Sequence, residues 1–213
     1  MHKLHKYKNY DEYLNHQLEK TNNPDVIESH KLNRDKRISD FVWKFNALNE
    51  VERECNVLCI GSRYGEEIEA LNKQGFKDVV GIDLMEYPPY TSKMDMHDLK
   101  FDNDKFSIIY TNSLDHSNDI HKAIGEMIRV VNKTFGMIII ELELYNDHGK
   151  YENYVFESPK DIIDIFNSYG VKYGFKDVQF VRFINRSVPL CINAEEHFLM
   201  FTFMSEGKID ETK

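Results

Sequence analysis

The sequence predicts an α/β fold, a mostly parallel sheet with helices on both faces, preceded by a helical N-terminal extension. Three observations carry this. From about residue 55, short apolar runs bounded by glycine alternate with stretches of helical period. The first run leads directly into a glycine-bearing turn and a helix. Residues 1–50 contain helical stripes but no such run.

Taken in order, Leu14 and Leu18 mark a short helix that ends near Asn22-Asn23-Pro24. Ile38, Phe41, Val42, Phe45 and Leu48 fall at i, i+3, i+4, i+7 and i+10, one stripe of an amphipathic helix. That stripe needs a partner, and the sheet can supply it, with the helix either on its flank or as a lid over its ligand crevice. The chain therefore divides into residues 1–50, the extension or lid, and 51–213, the sheet domain. Residues 57–60 (VLCI) are a buried strand; residues 66–74 are a helix with Ile68 and Leu71 inward and Gly75 as its C-cap. Residues 79–82 and 107–110 are further strands. Ile120, Ile124, Met127, Ile128 and Val131 mark a helix capped by Asn118 or Asp119. Residues 137–140 begin another strand, and a helix covers 159–169. Residues 178–184 and 197–203 follow with no helix between them, a pattern that suits antiparallel pairing at a sheet edge.

The 213 residues, 41% of them hydrophobic, suit a single domain with a sizeable core. A net charge of -9 disfavours nucleic-acid binding by counterion release, which needs a basic surface. Positive charge is concentrated locally, at His2, Lys3, His5, Lys6 and Lys8, then Lys31, Arg34, Lys36 and Arg37. These residues make either solvated helix faces or a docking face for an anionic partner. No run of about 18 apolar residues exists to span a membrane. The start, MHKLHKYKNYDEYL, lacks the apolar stretch of a secretory signal. Three cysteines (Cys55, Cys59 and Cys191) form no CxxC pair, and a reducing cytoplasm is the expected location.

Chemistry concentrates at Gly61-Ser62-Arg63-Tyr64-Gly65, where a buried strand turns into a helix. In open parallel sheets ligands bind beyond the carboxyl ends of the strands, and glycine lets the backbone bend there or approach a ligand. The spacing is GxxxG rather than GxGxxG, which argues against a dinucleotide pyrophosphate cradle and by itself also fits a plain turn. Asp83, about 20 residues on at the tip of the next strand, suits hydrogen bonds from ribose hydroxyls.

From Asn56 to Glu143 the sequence resembles the Rossmann-fold (class I) methyltransferases that use S-adenosylmethionine. Four stretches carry the resemblance: VLCIGSRYGEE, VVGIDL, MDMHDLKFDNDKFSIIYTNSLDHS and KAIGEMIRVVNKTFGMIIIELE. It implies a seven-stranded sheet whose last hairpin is antiparallel, and S-adenosylmethionine as cofactor. By position, Gly61, Ser62, Arg63 and Gly65 would form the turn beside the cofactor's methionine and ribose. Asp83 would hold the ribose, with Leu84 against the adenine. Asp95 would accept from the adenine amino group, and the Met96 backbone would address a ring nitrogen. Asn112, Ser113 and Leu114 would line the methionine end.

The chain also departs from the family pattern. Arg63 replaces the middle glycine of the loop, with its guanidinium either on the cofactor's carboxylate or in solvent. Cys59 stands where an acid is common and reads as a buried small hydrophobe. Only 11 residues separate Asp83 from Asp95, too few for the usual helix, so residues 85–91 read as an extended connection. The turn before the Met137 strand lacks its usual proline. Tyr87-Pro88-Pro89-Tyr90 resembles the N-P-P-Y signature of amino-directed enzymes, but it follows the wrong strand and Tyr87 supplies no amide; it reads as a rigid turn. No histidine spacing indicates a metal. His116 is a general-base candidate or a structural contact; Tyr145, Asp147 and His148 face the expected acceptor side.

The expected activity is transfer of the sulfonium methyl to a nucleophile, with a small hydroxylated acceptor favoured over RNA or protein. The alternatives are an RNA or protein methyltransferase, or a catalytically silent methyltransferase-like binding subunit.

Overall fold

The computed structural model describes residues 1–48, 51–144, 150–173, 177–181 and 195–202. In chain order the elements are β1 (His2–Lys3), α1 (Tyr10–Thr21), α2 (Pro24–Phe45), β2 (Asn56–Ile60), α3 (Glu66–Lys73), β3 (Asp78–Asp83), β4 (Thr91–Lys93), β5 (Ile108–Thr111), α4 (Ile120–Val130), β6 (Met137–Leu144), β7 (Tyr154–Val155) and α5 (Lys160–Tyr173). Five strands form a parallel sheet in the order β4-β3-β2-β5-β6. Succession runs outward from β2 to β4, then jumps back to β5 on the other side. The topological switch therefore lies between β2 and β5, and a crevice opens beyond their carboxyl ends.

The period of two along each strand sorts side chains onto the two faces. Leu58, Ile60, Ile109, Ile138 and Ile140 pack with Ile124, Met127 and Ile128 of α4 and Ile162 and Phe166 of α5. Val57, Cys59, Ile108, Tyr110 and Ile139 pack with Ile38, Phe41 and Phe45 of α2 and Ile68 and Leu71 of α3. Both faces are covered, as the near-continuous apolar strands require. The expected Ile38-to-Leu48 stripe thus lands on the flank of the sheet, where burying each large apolar side chain contributes about 1.5–3 kcal/mol. Polar pinning adds to it. Lys44 pairs with Glu141 of β6, whose other oxygen accepts from the Tyr110 hydroxyl at 2.7 Å.

Local signals fixed several boundaries. Asn9 and Asn23 cap α1 and α2, with Pro24 opening α2, and the Asp119 carboxylate caps α4 by accepting from the Lys122 amide at 3.0 Å. After α3, Gly75 takes φ +95° and the Phe76 amide returns to the Leu71 carbonyl, closing the helix end as its glycine suggests. The absent proline before β6 is replaced by Asn132, whose side-chain oxygen accepts from the Thr134 and Phe135 amides at 2.8 and 3.2 Å.

The short helix expected before Pro24 is present as α1; its buried residues are Tyr13 and Gln17, because it lies over a polar crevice and not on the sheet. One expectation is corrected. Residues 85–91 do not run extended. Tyr87 and Thr91 exchange backbone hydrogen bonds around the Pro88-Pro89 turn, and Thr91–Lys93 then joins β3 as a short strand that has too few residues to show a period. The pairing of β1 with β7, which ties the first residues to the segment after β6, had no apolar signature to reveal it.

Two glycines test the packing. A Cβ at Gly81 of β3 would lie 2.2 Å from Ile68 Cδ1, 2.6 Å from Ser62 Oγ and 2.8 Å from the Tyr90 carbonyl oxygen. A Cβ at Gly125, within α4, would meet only the Tyr169 hydroxyl at 3.8 Å. Gly81→Ala is therefore expected to destabilise the protein by about 1–3 kcal/mol, and Gly125→Ala to stabilise it by about 0.5–1 kcal/mol. Urea denaturation of the two variants beside the parent checks both signs.

Candidate active site

The crevice is built on the turn after β2. Gly61 adopts φ +78°, and its amide and that of Ser62 donate to the Ile82 carbonyl at 2.8 and 3.0 Å, stitching the tip of β2 to that of β3. A Cβ at Gly61 would lie 2.4 Å from Ser113 Oγ, so the tips of β2 and β5 meet here with no room for a side chain. Arg63 follows with φ +35°, holding in a side-chain-bearing residue the left-handed conformation that glycine adopts freely. Its amide donates to the Asp83 carboxylate at 3.1 Å, an acceptor that helps hold the turn. Gly65, at φ +75°, starts α3 and lies against Tyr90, which a Cβ would strike at 2.4 Å.

Two connected cavities flank this turn and share Gly61, Arg63, Ser113 and His116. One, of about 50 Å³, lies toward β3 and is lined by Asp83, Leu84, Met94, Met96 and Tyr13 among others. The other, of about 440 Å³, extends under α2, where Asn112, Glu66, Glu67, His30 and Arg37 contribute. Of the residues expected from sequence, Gly61, Ser62, Arg63, Asp83, Leu84, Met96, Asn112 and Ser113 therefore gather around one crevice. Leu114 is adjacent in the chain, but its side chain is buried in the core against α4. Asp95 lies behind the smaller cavity, held by neighbours of its own.

Those neighbours come from α1. The Tyr10 hydroxyl donates to one Asp95 oxygen. The other accepts from the His97 amide at 2.8 Å and from His97 Nδ1 at 2.6 Å. His97 Nε2 accepts from the Asn118 and Asp119 amides at 3.1 and 3.2 Å, which fixes the ring as the Nδ1–H tautomer. Burial pushes the Asp95 pKa up, but the bonds from His97 and Tyr10 outweigh it and hold the carboxyl down at about 2. Tyr13, 1% exposed, packs edge-on against His97.

From α2, His30 reaches the turn. Its Nε2 accepts from the Arg63 guanidinium at 3.2 Å, so its Nδ1–H donates to Glu66 at 2.9 Å. Burial lowers the His30 pKa despite the carboxylate, in keeping with this neutral ring. Of the two roles open to Arg63, the guanidinium is thus seen on His30. Arg34 adds a bond to the Tyr64 carbonyl at 3.1 Å and an ion pair with Glu69 at 2.9 Å. Sequence reasoning missed Tyr10, Tyr13, His30, Glu66 and Glu67, and weighed His97 only as a metal or base candidate. The available signal was the series His30, Arg34, Arg37 along one helix face, facing the paired acids that follow Gly65.

At the acceptor end, His116 Nδ1 donates to the Tyr151 carbonyl at 3.0 Å, and its Nε2 accepts from Lys20 Nζ at 2.9 Å. Asp115, His116 and Glu152 bring potential ligand atoms within 4.8 Å of one another. The Lys20 ammonium sits among them, 3.8 Å from Glu152, and supplies the balancing charge that a metal would otherwise provide. Tyr145, Asp147 and His148 lie outside the described residues, as do residues 182–184, Cys191 and Phe203. Among the described residues, no helix is long and apolar enough to cross a membrane.

The crevice residues contributed by the sheet and its loops, from Ile60 to His116, fall within the segment where comparison with known proteins finds its match. The family model described as "Methyltransferase domain" matches residues 58–140. No curated protein matches the chain. Among solved structures, a Burkholderia thailandensis 1,6-didemethyltoxoflavin-N1-methyltransferase, with bound 1,6-didemethyltoxoflavin and S-adenosylhomocysteine, is 13% identical with a TM-score of 0.64, covering 95% of this chain and 94% of its own. A Thermotoga maritima S-adenosylmethionine-dependent methyltransferase, described as a possible histamine N-methyltransferase, is 15% identical with a TM-score of 0.58, covering 84% and 95%. A Haloferax volcanii putative methyltransferase in complex with the Trm112 activator is 15% identical with a TM-score of 0.62, covering 81% and 94%. At these identities the structures speak for the fold, and the family model speaks for the chemistry. With its glycine turn at the switch point and the acid at the tip of β3, the chain carries, over residues 58–140, an S-adenosylmethionine-dependent methyltransferase domain on a class I, Rossmann-type fold.

Proposed function

We propose that the protein transfers the sulfonium methyl of S-adenosylmethionine to a small hydroxylated acceptor, with the N-terminal extension, residues 1–50, supplying α1 as a lid over the crevice. The observation that carries this reading is the convergence of Gly61, Asp83 and Ser113 on one crevice at the sheet's switch point. In it, Gly61, Ser62, Arg63 and Gly65 shape the bed for the methionine and ribose, and Asp83 accepts from the ribose hydroxyls. Leu84, Met94 and Met96 flank the adenine, and Asp95 accepts from its amino group. Asn112 and Ser113 lie beside the reacting methyl. Bound S-adenosylmethionine supplies the electrophilic carbon. The chain's task is to align the acceptor in line with the breaking bond and to exclude water.

His116 is the base in this reading where the acceptor must lose a proton. Its Nδ1–H on the Tyr151 carbonyl leaves Nε2 as the acceptor nitrogen toward the crevice, now engaged by Lys20. A small acceptor is favoured by the net charge of -9 and by the closure of the crevice under α1 and α2. The Burkholderia neighbour's small-molecule ligand lends analogy only. A reducing compartment suits Cys55 and Cys59, both free thiols. The reading includes a seven-stranded sheet closed by an antiparallel hairpin. Its support is the register of β9 (Glu195–Thr202) against Met137–Leu144, and of β8 (Asp177–Val181) against β9.

The lid reading rests on volume. About 50 Å³ beside Asp83 holds a few water molecules but not a nucleoside, so α1 and its Tyr13 must swing aside on binding. The Tyr10–Asp95–His97 contacts are the latch.

Asp83→Ala is expected to weaken S-adenosylhomocysteine binding at least about tenfold, through loss of charge-assisted hydrogen bonds. Isothermal titration, with circular dichroism to confirm folding, checks this; unaltered affinity would remove Asp83 from the site. The latch predicts a pH dependence. Because the folded Asp95 pKa is depressed to about 2 from an ordinary value of about 3.9, its stabilising contribution is complete above about pH 4 and is lost as pH falls toward 2. In Asp95→Asn that acid-labile part should be missing, which acid unfolding curves of parent and variant would show.

A further inference from the structure

Glu67 is the second residue of α3, and its side chain is buried, 3% exposed, in the wall of the larger cavity beside Gly61, Ser62 and Asn112. Its surroundings set it apart from the other acids of the crevice. Glu66, next to it, already has His30 at 2.9 Å and Arg37 at 3.5 Å. Asp83 accepts from the Arg63 amide. Glu67 has a bond from its own backbone amide, and no cation among the described residues lies within ion-pair distance of it.

The groups that face it come from every neighbouring element. Glu66 lies beside it on α3, Asp83 on β3, and Cys59 and Tyr110 on β2 and β5; Arg37 approaches from α2. His30 of α2, Lys20 of α1 and Arg63 line the same cavity. Burial, aided by Glu66 and Asp83, outweighs the lowering pull of its own amide and of Arg37 and lifts the Glu67 pKa to about 8. A helix N-terminus ordinarily favours an ionised carboxylate, but here desolvation wins. At neutral pH the acid is protonated. Cys59 beneath it cannot supply an anion either, since burial pushes its thiol pKa well up.

In the cofactor placement proposed above, the methionine end would lie against residues 61–65, and its α-ammonium would need an anionic partner in this wall. Among the described residues neither Glu67 nor Asp83 has a cation within ion-pair distance, and of the two it is Glu67 that lines the larger cavity, Asp83 being assigned to the ribose.

We propose that Glu67 receives the α-ammonium of the cofactor's methionine moiety and gives up its proton to solvent as the ion pair forms. This rests on the cofactor placement proposed above. The carboxylic O–H bond breaks, the proton passes to buffer, and the ammonium keeps its own protons while donating one hydrogen bond to the new carboxylate. No electrons are transferred. Because the ammonium stabilises the ionised form, affinity rises with pH up to the free-state value of about 8 and levels off above it.

The test is calorimetric and needs no acceptor. The full chain is titrated at pH 7 with S-adenosylhomocysteine, and separately with 5′-methylthioadenosine, which has the nucleoside but no amino-acid end. Phosphate and Tris, whose ionisation enthalpies differ, are used in turn. The expected result is release of close to one proton per S-adenosylhomocysteine bound and none with 5′-methylthioadenosine. Glu67→Gln should abolish the release and weaken S-adenosylhomocysteine about 10- to 100-fold, with 5′-methylthioadenosine affinity unchanged. Binding of S-adenosylhomocysteine with the same apparent enthalpy in both buffers overturns the role of Glu67 while leaving the cofactor placement intact. Failure of both ligands to bind overturns the placement and this role together. Should Glu67→Gln not fold, the comparison of the two ligands on the parent protein decides by itself.

Discussion

The site depends on one steric constraint, the contact between the tips of β2 and β5. Gly61 and Ser113 approach so closely that any side chain at position 61 would collide, and the chain turns there through a positive φ. That bend exposes the backbone of residues 61–63 to the crevice, and the Ile82 carbonyl holds it in place by accepting two amides. Everything that lines the crevice, from Asp83 on one side to Asn112 on the other, is positioned relative to this bend. The constraint is local in space and non-local in sequence, which is why it fixes the switch point of the sheet so tightly.

Electrostatics then join the N-terminal helices to the bend. The Arg63–His30–Glu66 chain runs from the turn through α2 to the first residue of α3, with one neutral histidine donating at one nitrogen and accepting at the other. On the side toward β4, Tyr10 and His97 hold Asp95 ionised. The C-terminal part of α2 is apolar and settles on the sheet, while α1 and the start of α2 are polar and cross the crevice. This division of labour within two helices couples the packing of the domain to the cover of its crevice. It also explains the buried carboxyls around the bend. They are hydrogen-bonded by histidine and paired with arginine, satisfied by backbone amides, or, at Glu67, kept protonated by burial.

Much of this could be read along the chain. The alternation of residues 57–60, 79–82 and 107–110 with helical stripes determined a parallel sheet, because a run buried on both faces must be apolar throughout. Gly61 and Gly65 were legible as a glycine turn and Asp83 as an acid at the next strand's tip, since few residue types serve at such positions. Gly75 closing α3 follows from the same local chemistry.

Tertiary structure decided the rest. That Tyr13 and Gln17 are the buried residues of α1 depends on the helix lying over a polar crevice, which no period within the helix records. The pairing of Tyr10 with Asp95, 85 positions apart, and of His30 with Glu66 arises only when the N-terminal helices fold back on the sheet. Glu66 and Glu67 are neighbours in sequence and chemically the same, yet one is ionised beside a histidine and the other protonated. Residue type determined which groups were available. Their charge followed from burial and from partners distant along the chain, because the cost of ionisation is set by the dielectric and the neighbours in space.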